Sequence, residues 1–476
     1  MAEKHELGIT VKKADDMPEW YSQVVVKSGL ADYSPVRGTM IIRPYGYRIW
    51  ENIQSYFNDV LKKRNVENAY FPMFIPESFF KKEAEHAAGF KAEVAWVEQK
   101  EGDGERYALR PTSETIMYDS YAKWIRSWRD LPLRINQWCN IVRWEVKDVK
   151  MFLRSREFLW QEGHCVYETK KECDKETKLF LKEYQKLSEN MLAIPVIAGR
   201  KTEKEKFSGA LYTLTIEALM PDGKALQMGT SHNLGQGFAK AFNIKYVGKD
   251  EKEHDVWQSS WGFSTRLIGS IVLMHGDDKG LVLPPKIAPN KAVIVPILFE
   301  ETREKVLAKA KEIAKKLKKY DALVDERDEY TPGFKFNEWE LKGVPIRIEI
   351  GPKDLENNSV ILVRRDNGEK KTVKIDNIAK EIKQTLNDIQ KSLFDKAKKF
   401  LDSHVAEVDS YEQLKQETAK GNMAVANHCG SVECEEEIKT DTNGITTRAV
   451  MPGKAEGSCI KCGKKAEYKV YFARNY

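Results

Sequence analysis

Two neighbouring segments of this chain, LRINQWCNIVRWEV at residues 133–146 and EFLWQEGHCVY at residues 157–167, carry its strongest structural signal. Both alternate in the manner of β-strands, whose successive side chains point to opposite faces. The intervening residues 147–155 predict a turn, so the strands form an antiparallel pair with Arg154 in or near that turn. The side chains that this pairing places on one face are Arg143, Glu145, Trp160, Glu162 and His164.

This face combines guanidinium, carboxylate, imidazole and indole groups. Arginine suits phosphate oxygens and a carboxylate suits an amine, so the face is a candidate ligand surface with an aromatic wall. The alternative is a charged face turned towards water, because antiparallel sheets often expose one side. Tryptophan and histidine are unusual on a merely hydrated face, and this favours the ligand surface.

Two further segments belong with the hairpin. Residues 46–64 predict an amphipathic helix that leads into a strand-like segment at residues 69–74, and taken alone this pair is structural. In WGFSTRLIGS, residues 261–270, small residues lead into an apolar helix with Arg266 at its start, which suits a polyphosphate. The alternative for Arg266 is a surface residue at a helix terminus. The apolar face of the first helix comprises Ile49, Trp50, Ile53, Phe57, Val60 and Leu61.

Length and composition indicate a multidomain globular protein. At about 150 residues per domain, a chain of 476 residues predicts roughly three units. No run approaches the ~20 apolar residues that span a bilayer, and MAEKHELGIT lacks the apolar stretch of a secretory signal. We therefore expect a cytoplasmic protein with no membrane partner. The net charge of +6 is compatible with a polyanionic partner, although a solvated basic surface is the simpler explanation.

A proline-rich segment, LPPKIAPN at residues 283–290, predicts a linker between two blocks. The second block begins with an apolar strand at residues 292–299 and a helix with apolar residues at helical spacing. Further strands are predicted near residues 322–325 and 344–350. A hairpin follows at residues 359–365 and 371–375, turned at Asp366-Asn367-Gly368, and a long helix ends near residue 402. This order predicts a small α/β domain.

The remaining segment, residues 403–476, contains four of the seven cysteines. Their spacing, Cys429-x4-Cys434 and Cys459-x2-Cys462, predicts a structural Zn²⁺ site that folds a segment otherwise poor in core. Disulfides are the less favoured alternative in a cytosolic protein. The three other thiols are expected to be buried or inert; they are Cys139, Cys165 and Cys173.

These features together resemble a known family. The helix and strand with Pro72, the Arg143-x-Glu145 strand with its loop, and the segment ending at Arg266 are similar to motifs 1, 2 and 3 of class II aminoacyl-tRNA synthetases, in that order. LRPTSE at residues 109–114, GTSH at 229–232 and WQEGH at 160–164 resemble the prolyl branch of archaeal and eukaryotic type. Motif 3 departs from the commoner glycine-rich form, which bears on how the ATP tail is placed.

The resemblance covers essentially the whole chain and implies an α+β fold in three parts. Residues 1–283 would form a class II catalytic domain built on an antiparallel sheet. Residues 284–402 would form an α/β anticodon-binding domain, and residues 403–476 a small zinc-binding C-terminal domain. Between His164 and Gln227 the chain is too short for the large inserted hydrolytic domain of many bacterial prolyl enzymes, so we expect no editing in cis.

The resemblance also implies an activity, in which L-proline reacts with ATP to give prolyl adenylate and the prolyl group passes to tRNA(Pro). Arg143 and Arg266 would be the catalytic residues, which position and stabilise charge as the carboxylate attacks the α-phosphorus. The ATP-binding residues would be Arg143, Glu145, Arg154, Gln227, Thr230 and Arg266. The proline-binding residues would be Thr112, Glu114, Arg143, Trp160, Glu162, His164, Phe207, His232 and Ser264.

Several partners follow from the same resemblance. Mg²⁺ would bridge the phosphate oxygens, and motif 1 would form the interface of a homodimer. Recognition of the two guanines in a proline anticodon requires cationic hydrogen-bond donors and acidic acceptors at the base edges. The candidates for these contacts are Arg347, Glu349 and Lys353. The alternative for these three is a set of charges on a solvent-facing strand end. The terminal Tyr476 is expected to approach the catalytic domain, as in family members that end in tyrosine.

Other functions remain to be weighed against this one. A class II enzyme for threonine or glycine would need a different pocket lining, and threonyl enzymes place a zinc-ligating cysteine and histidines in the active site. A non-catalytic paralogue tends to lose its motif arginines, whereas Arg143, Arg154 and Arg266 are all present. Class I signature motifs and glycine-rich phosphate loops are missing from the sequence.

Overall fold

The computed structural model describes residues 8–80, 93–100, 102, 104–144 and 148–476. Its first part opens with an amphipathic helix, a short hairpin and a second, longer helix. The predicted apolar face of that second helix is confirmed, since all six of its residues are buried. These elements are α1 (Met17–Lys27), β1 (Ala31–Tyr33), β2 (Met40–Ile42) and α2 (Pro44–Lys63).

The next elements lead into the central sheet. The strand predicted at residues 69–74 is not continuous: residues 67–68 and 74–76 pair, so only Phe74 of the predicted range lies in a strand, and Pro72 lies between the two paired segments. The elements are β3 (Glu67–Asn68), β4 (Phe74–Pro76), β5 (Tyr107–Leu109), α3 (Glu114–Trp124), β6 (Leu133–Val142) and β7 (Glu157–Tyr167). The strand predicted to reach Val146 ends at Val142, although the Arg143 amide still donates to the Arg156 carbonyl at 2.7 Å.

The remainder of this first part completes an antiparallel sheet with helices on both faces. The elements are α4 (Lys170–Lys186), β8 (Ile197–Arg200), β9 (Tyr212–Leu219), β10 (Lys224–Gly235), α5 (Gly237–Ala241), β11 (Lys245–Val247), β12 (Glu253–Asp255), β13 (Trp257–Ser264) and α6 (Arg266–His275). The central strand order is β8-β9-β10-β13-β7-β6, with β3 added in parallel at the edge. Helices α2, α4 and α6 cover the face opposite the predicted ligand surface, where Trp261 stacks on Phe180 at 3.6 Å between ring centroids.

The second part is the predicted α/β unit with a five-stranded sheet of order β15-β14-β16-β17-β18. The hairpin at Asp366-Asn367-Gly368 and the long final helix are confirmed. The elements are β14 (Ala292–Pro296), α7 (Arg303–Lys316), β15 (Leu323–Val324), α8 (Pro332–Leu341), β16 (Ile346–Ile350), α9 (Pro352–Glu356), β17 (Ser359–Arg364), β18 (Lys370–Lys374) and α10 (Ile378–Ser403). The proline-rich connection before it is packed rather than exposed, because Ile287 and Ala288 are buried in the catalytic core.

The C-terminal segment differs most from expectation. Its strands pair with one another and extend the catalytic sheet, with Val450 opposite Arg200 and Lys224 opposite Arg474. The expectation of a segment poor in core is wrong, because it buries an apolar cluster that includes Leu414, Ile438 and Phe472. The elements are β19 (Val405–Glu407), α11 (Tyr411–Ala419), β20 (Met423–His428), α12 (Val432–Asp441), β21 (Ile445–Val450) and β22 (Tyr468–Asn475).

Candidate active site

Three adjacent strands of the central sheet form the floor of one cavity of about 280 Å³. Glu162 on β7 lies opposite Gly262 on β13. His164 lies opposite Ser260, which in turn faces His232 on β10. Side chains in facing positions of neighbouring strands point to the same side of a sheet. The register therefore brings the polar groups of β7, β10 and β13 to one surface.

Nearly all of the residues predicted from the sequence lie around this cavity. Arg154 lines an adjoining cavity of about 300 Å³, which Arg143 and Arg266 also line. Glu145, which alternation placed with them, lies outside the described residues. The predicted residues that line the main cavity are Thr112, Glu114, Arg143, Trp160, Glu162, His164, Phe207, Gln227, Thr230, His232, Ser264 and Arg266.

At one end of the cavity, Glu162 and His164 form a buried pair. The Glu162 carboxylate lies 3.1 Å from His164 Nε2, and it accepts hydrogen bonds from Ser113 Oγ at 2.5 Å and Gln137 Nε2 at 3.0 Å. Burial alone would raise the pKa of Glu162, but these hydrogen bonds outweigh it and lower that pKa. Burial would likewise lower the pKa of His164, yet the hydrogen bond to Glu162 and the nearby carboxylates raise it. The pair is therefore an ion pair, with the other histidine nitrogen 3.0 Å from the Tyr118 hydroxyl.

A second carboxyl group, that of Glu114, stands beside this pair at the start of α3. It contacts the Thr112 hydroxyl and is almost completely buried. Burial is the main cause that raises the pKa of Glu114, with the charge of His164 opposing it and that of Glu162 adding to it. The loop that carries it is held by Arg110, whose guanidinium donates to the Phe71 carbonyl at 2.7 Å. A cationic ligand beside Glu114 would therefore stabilise the ionised form of its carboxyl group.

Aromatic groups form the walls of the cavity. His232 is held by Thr213, whose hydroxyl lies 2.9 Å from His232 Nδ1, and its ring lies 4.8 Å from that of Phe207. Burial, reinforced by the charge of His164, lowers the pKa of His232 to about 3. His232 is therefore neutral, so its ring and those of Phe207 and Trp160 offer uncharged surfaces to a ligand.

The opposite end of the cavity is strongly cationic. Arg266 donates through Nε to the Leu153 carbonyl at 3.2 Å and through one terminal nitrogen to the Gln227 carbonyl at 3.4 Å. Arg143 lies over the Trp160 ring at 5.8 Å and donates to the Pro111 carbonyl. Burial, with the charge of Arg143 next in importance, lowers the pKa of Arg266 to about 10. The charge of Arg143 thus disfavours the charged form of Arg266, and an anionic ligand bound at both groups would offset that repulsion.

Some residues of the site were not anticipated from the sequence. Ser113, Tyr118 and Thr213 hold the charged and aromatic side chains by hydrogen bonds, and Glu205 lines the cavity directly. Only Ser113 lay within a motif, since it is part of LRPTSE. The others act through contacts between distant strands and helices, which alternation within one segment does not reveal.

The last residue of the chain also reaches this region. The Tyr476 side chain lines the adjoining cavity beside Arg154 and Arg266, as the resemblance implied for the terminus. Its hydroxyl donates to Asp222 at 2.5 Å, and the amines of Lys150 and Lys224 lie over its ring. The C-terminal segment therefore contributes to the cationic end of the site.

The C-terminal cysteines converge as their spacing predicts. Cys429 Sγ lies 3.6 Å from Cys434 Sγ and 3.7 Å from Cys462 Sγ. These separations match the edge of a tetrahedron with Zn–S bonds of about 2.3 Å and are far longer than a disulfide bond. The donor atoms of Cys429, Cys434, Cys459 and His428 all lie within 4.8 Å of one another, so this group holds three of the four predicted cysteines and one histidine but not Cys462. The residues present fit a Zn²⁺ ion.

His428 is an addition that the cysteine spacing did not suggest. It is fully buried, and its Nδ1 accepts a hydrogen bond from the Gly430 amide at 3.0 Å. The three cysteines outside the cluster behave as expected, since burial raises the pKa of Cys173 to about 12 and raises those of Cys139 and Cys165 well above the usual range.

Two of the predicted anticodon residues, Arg347 and Glu349, lie on β16 of the second sheet, and the third lies on the helix that follows it. Arg347 donates to the Glu349 carboxylate at 2.8 Å and its guanidinium lies over the Phe336 ring at 4.3 Å. Lys353 is exposed on α9.

Among the described residues, no helix has the length and apolar content needed to cross a bilayer.

Three family models match the chain in succession. The model of the tRNA synthetase class II core domain (G, H, P, S and T) matches residues 95–275. A model of an anticodon binding domain matches residues 291–385, and one of the prolyl-tRNA synthetase C-terminal domain matches residues 411–476. The antiparallel sheet with its cationic cavity is thus a class II tRNA synthetase core.

Similar proteins specify the family further. The chain is 51% identical to a proline–tRNA ligase of Cenarchaeum symbiosum, over 99% of this chain and 100% of the relative. It is 50% identical to that of Natranaerobius thermophilus, over 98% and 97% of the two chains. A crystal structure of prolyl-tRNA synthetase from Cryptosporidium parvum, complexed with halofuginone and AMPPNP, superposes with a TM-score of 0.93 at 42% identity, covering 99% of this chain and 97% of the other. This chain belongs to the proline–tRNA ligase family.

Proposed function

We propose that this chain activates L-proline with ATP, forming prolyl adenylate and pyrophosphate, and then transfers the prolyl group to the 3′ end of tRNA(Pro). The observation that carries the proposal is the pair of adjoining cavities, sharing Arg143 and Arg266, that together join a carboxyl-rich, aromatic end to a cluster of arginines. Full-length similarity to proline–tRNA ligases supports the same activity.

The aromatic end suits the amino acid. Glu162 is already engaged by His164, Ser113 and Gln137, so its carboxylate serves to hold His164. Glu114 has a raised pKa and fewer donors, and we propose that it ionises when the secondary ammonium of proline arrives between it and Thr112. The pyrrolidine ring then packs on aromatic and polar walls contributed by Trp160, Phe207, His232 and Ser264.

The cationic end suits ATP. We propose that Arg143 binds the α-phosphate, and that Arg154 and Arg266 bind the remaining phosphates of a bent triphosphate. Gln227 and Thr230, on β10 beside Arg266, complete the nucleotide site together with Glu145, whose placement lies outside the described residues. Mg²⁺, which binds through few protein groups together with substrate oxygens, would supply further positive charge to the triphosphate. Charge stabilisation at fixed donors would then account for most of the rate enhancement.

The other parts of the chain are given supporting roles. Arg347, Glu349 and Lys353 would contact the anticodon, with the Arg347–Glu349 pair opening to base edges. The cysteine cluster would hold a structural Zn²⁺, because its donors leave no position for a reacting water. Residues 165–226, all of them described, form α4, β8, β9 and their connections, and we propose accordingly that no editing domain is inserted there.

We further propose that the chain acts as a homodimer in the cytoplasm. Large apolar side chains are exposed on β1, β2 and the turn between them, at the start of α2, and from the segment after β3 to the start of β4, and a second copy would cover them. The free state of all seven cysteines agrees with a reducing compartment. The exposed residues are Tyr33, Val36, Ile41, Tyr47, Tyr70 and Phe74.

Amino-acid-dependent exchange of pyrophosphate into ATP tests the proposed function. We expect the strongest exchange with proline among the proteinogenic amino acids, and none above background with Arg143→Ala. Arg347→Ala should leave exchange unchanged and weaken only tRNA charging, which separates the two substrate sites. Equal exchange with threonine or glycine, or none with any amino acid, would refute the proposal.

A further inference from the structure

A buried charge cluster lies beside the cationic end of the active site, because its central residue is paired in register with Gln227. Its centre is Glu217 on β9, which has no exposed surface. One carboxylate oxygen accepts hydrogen bonds from Lys201 Nζ at 2.7 Å and Thr215 Oγ1 at 2.7 Å. The other accepts two from the guanidinium of Arg448, at 2.7 and 3.1 Å. Arg448 lies on β21, in the C-terminal segment far from Glu217 in sequence.

This cluster is coupled to the nucleotide site through Arg266. Glu217 is paired in register with Gln227, and the Gln227 carbonyl accepts a hydrogen bond from Arg266. Glu217 is the carboxylate whose charge favours the charged form of Arg266, whereas Arg448, Arg143 and Arg154 oppose it. The Glu217 carboxylate is therefore within electrostatic reach of Lys201, Arg448 and Arg266. Lys201 and Arg448 already donate hydrogen bonds to its two oxygens.

The occupancy of those oxygens has a consequence for Arg266. If Arg448 were absent, one oxygen of Glu217 would be buried with no donor, which is costly for a charged group. Arg266, which contacts the Gln227 carbonyl beside Glu217, carries a guanidinium within electrostatic reach of that oxygen, and pairing with it would draw Arg266 away from the phosphates. Arg448 prevents this by holding the oxygen itself and by repelling Arg266 towards the cavity.

We propose that Arg448 is a positioning residue for the nucleotide site: by saturating Glu217, it keeps Arg266 directed at the triphosphate. The inference rests on the proposed function, because it concerns ATP binding in that reaction. Under this proposal the C-terminal segment contributes to ATP binding as well as extending the central sheet. A purely structural role for the cluster is the competing explanation.

Exchange kinetics separate the two explanations. In Arg448→Met we expect the KM for ATP to rise by about tenfold or more, the effect of losing one charge-assisted contact, while the KM for proline is unchanged. In the double variant Glu217→Gln, Arg448→Met the competing anion is gone, so the KM for ATP should return towards that of the unaltered protein. Lys469→Met, which removes an exposed cation from the same C-terminal sheet, is the matched control.

A structural role predicts a different pattern, in which the double variant is at least as impaired as Arg448→Met and both KM values rise together. That pattern, or an unchanged KM for ATP in Arg448→Met, would overturn the proposal. If Arg448→Met does not fold, Arg448→Lys is the deciding variant. Lysine satisfies the Glu217 oxygen less completely than arginine does, so the KM for ATP alone should rise several-fold. An unchanged KM for ATP in Arg448→Lys would overturn the proposal. Absence of exchange in the unaltered protein would instead refute the proposed function.

Discussion

Replacing Glu162 by glutamine removes the charge that sustains the buried ion pair with His164 while keeping the size of the side chain. In the folded protein Glu162 accepts hydrogen bonds from four donors, which are Ser113, Gln137, the Cys139 thiol and the His164 ring. Breaking a buried ion pair by removing one partner costs about 3–5 kcal/mol. At about 2–4 °C per kcal/mol for a domain of this size, the unfolding transition of the catalytic part should fall by on the order of 10 °C.

The loss should depend on pH in a defined direction. The lowered pKa of Glu162 gives stability above the usual carboxyl pKa of 4.5, and that stability is lost as pH falls through the lowered value. The raised pKa of His164 gives stability below the usual imidazole pKa of 6.5, and that stability is lost as pH rises through the raised value. The pair is therefore fully effective between these two values. We expect Glu162→Gln to lose more stability at pH 6 than at pH 9.

Scanning calorimetry at both pH values, on Glu162→Gln, His164→Asn and the double variant, measures this coupling. The double variant should lose less stability than the sum of the single variants. Glu176→Gln is the matched control, since Glu176 is also buried but faces Arg134 and has a pKa raised mainly by burial. Additive losses, or equal losses of Glu162→Gln at pH 6 and pH 9, would refute an ion pair at this site.

Three further outcomes are expected. Gly163→Ala should destabilise the catalytic part by about 1–3 kcal/mol or more, because the added methyl group would lie 2.2 Å from the Trp261 ring. At Gly333 the added methyl group would meet open space, so Gly333→Ala should not destabilise the protein. Thermal unfolding of both variants checks this. Cys459→Ser should abolish one equivalent of bound zinc, measured by atomic absorption, yet leave the apolar C-terminal core folded by circular dichroism; full zinc content would contradict the assigned cluster. Alanine should support exchange at a rate reduced by ~10 to 200-fold per missing methylene, and no alanine signal would show stronger discrimination than a cavity of this size provides.

Local patterns in the sequence predicted much of this structure. The apolar face of α2, the hairpin at Asp366-Asn367-Gly368 and the long helix α10 follow from periodicity and turn chemistry within single segments. The face shared by Trp160, Glu162 and His164 follows from strand alternation in the same way. The resemblance added the residues on other strands, which alternation alone does not bring together.

Long-range features were beyond these patterns. Nothing local to Arg448 shows that it reaches Glu217, because β21 joins the catalytic sheet only through tertiary pairing. The early end of β6 and the packed proline-rich connection were missed for the same reason, since contacts with distant segments outweigh local propensity. His428 escaped notice because a histidine beside a cysteine pair has no distinctive spacing.

The central claim is that three arginines distant in sequence meet around one triphosphate beside a pocket for an imino acid. A crystal structure of the protein with proline and a non-hydrolysable ATP analogue tests it most directly. We predict phosphate oxygens within hydrogen-bond distance of Arg143, Arg154 and Arg266, and the pyrrolidine nitrogen against Thr112 and Glu114. An analogue bound away from these guanidinium groups, or a proline outside the Glu114 end of the cavity, would contradict the account.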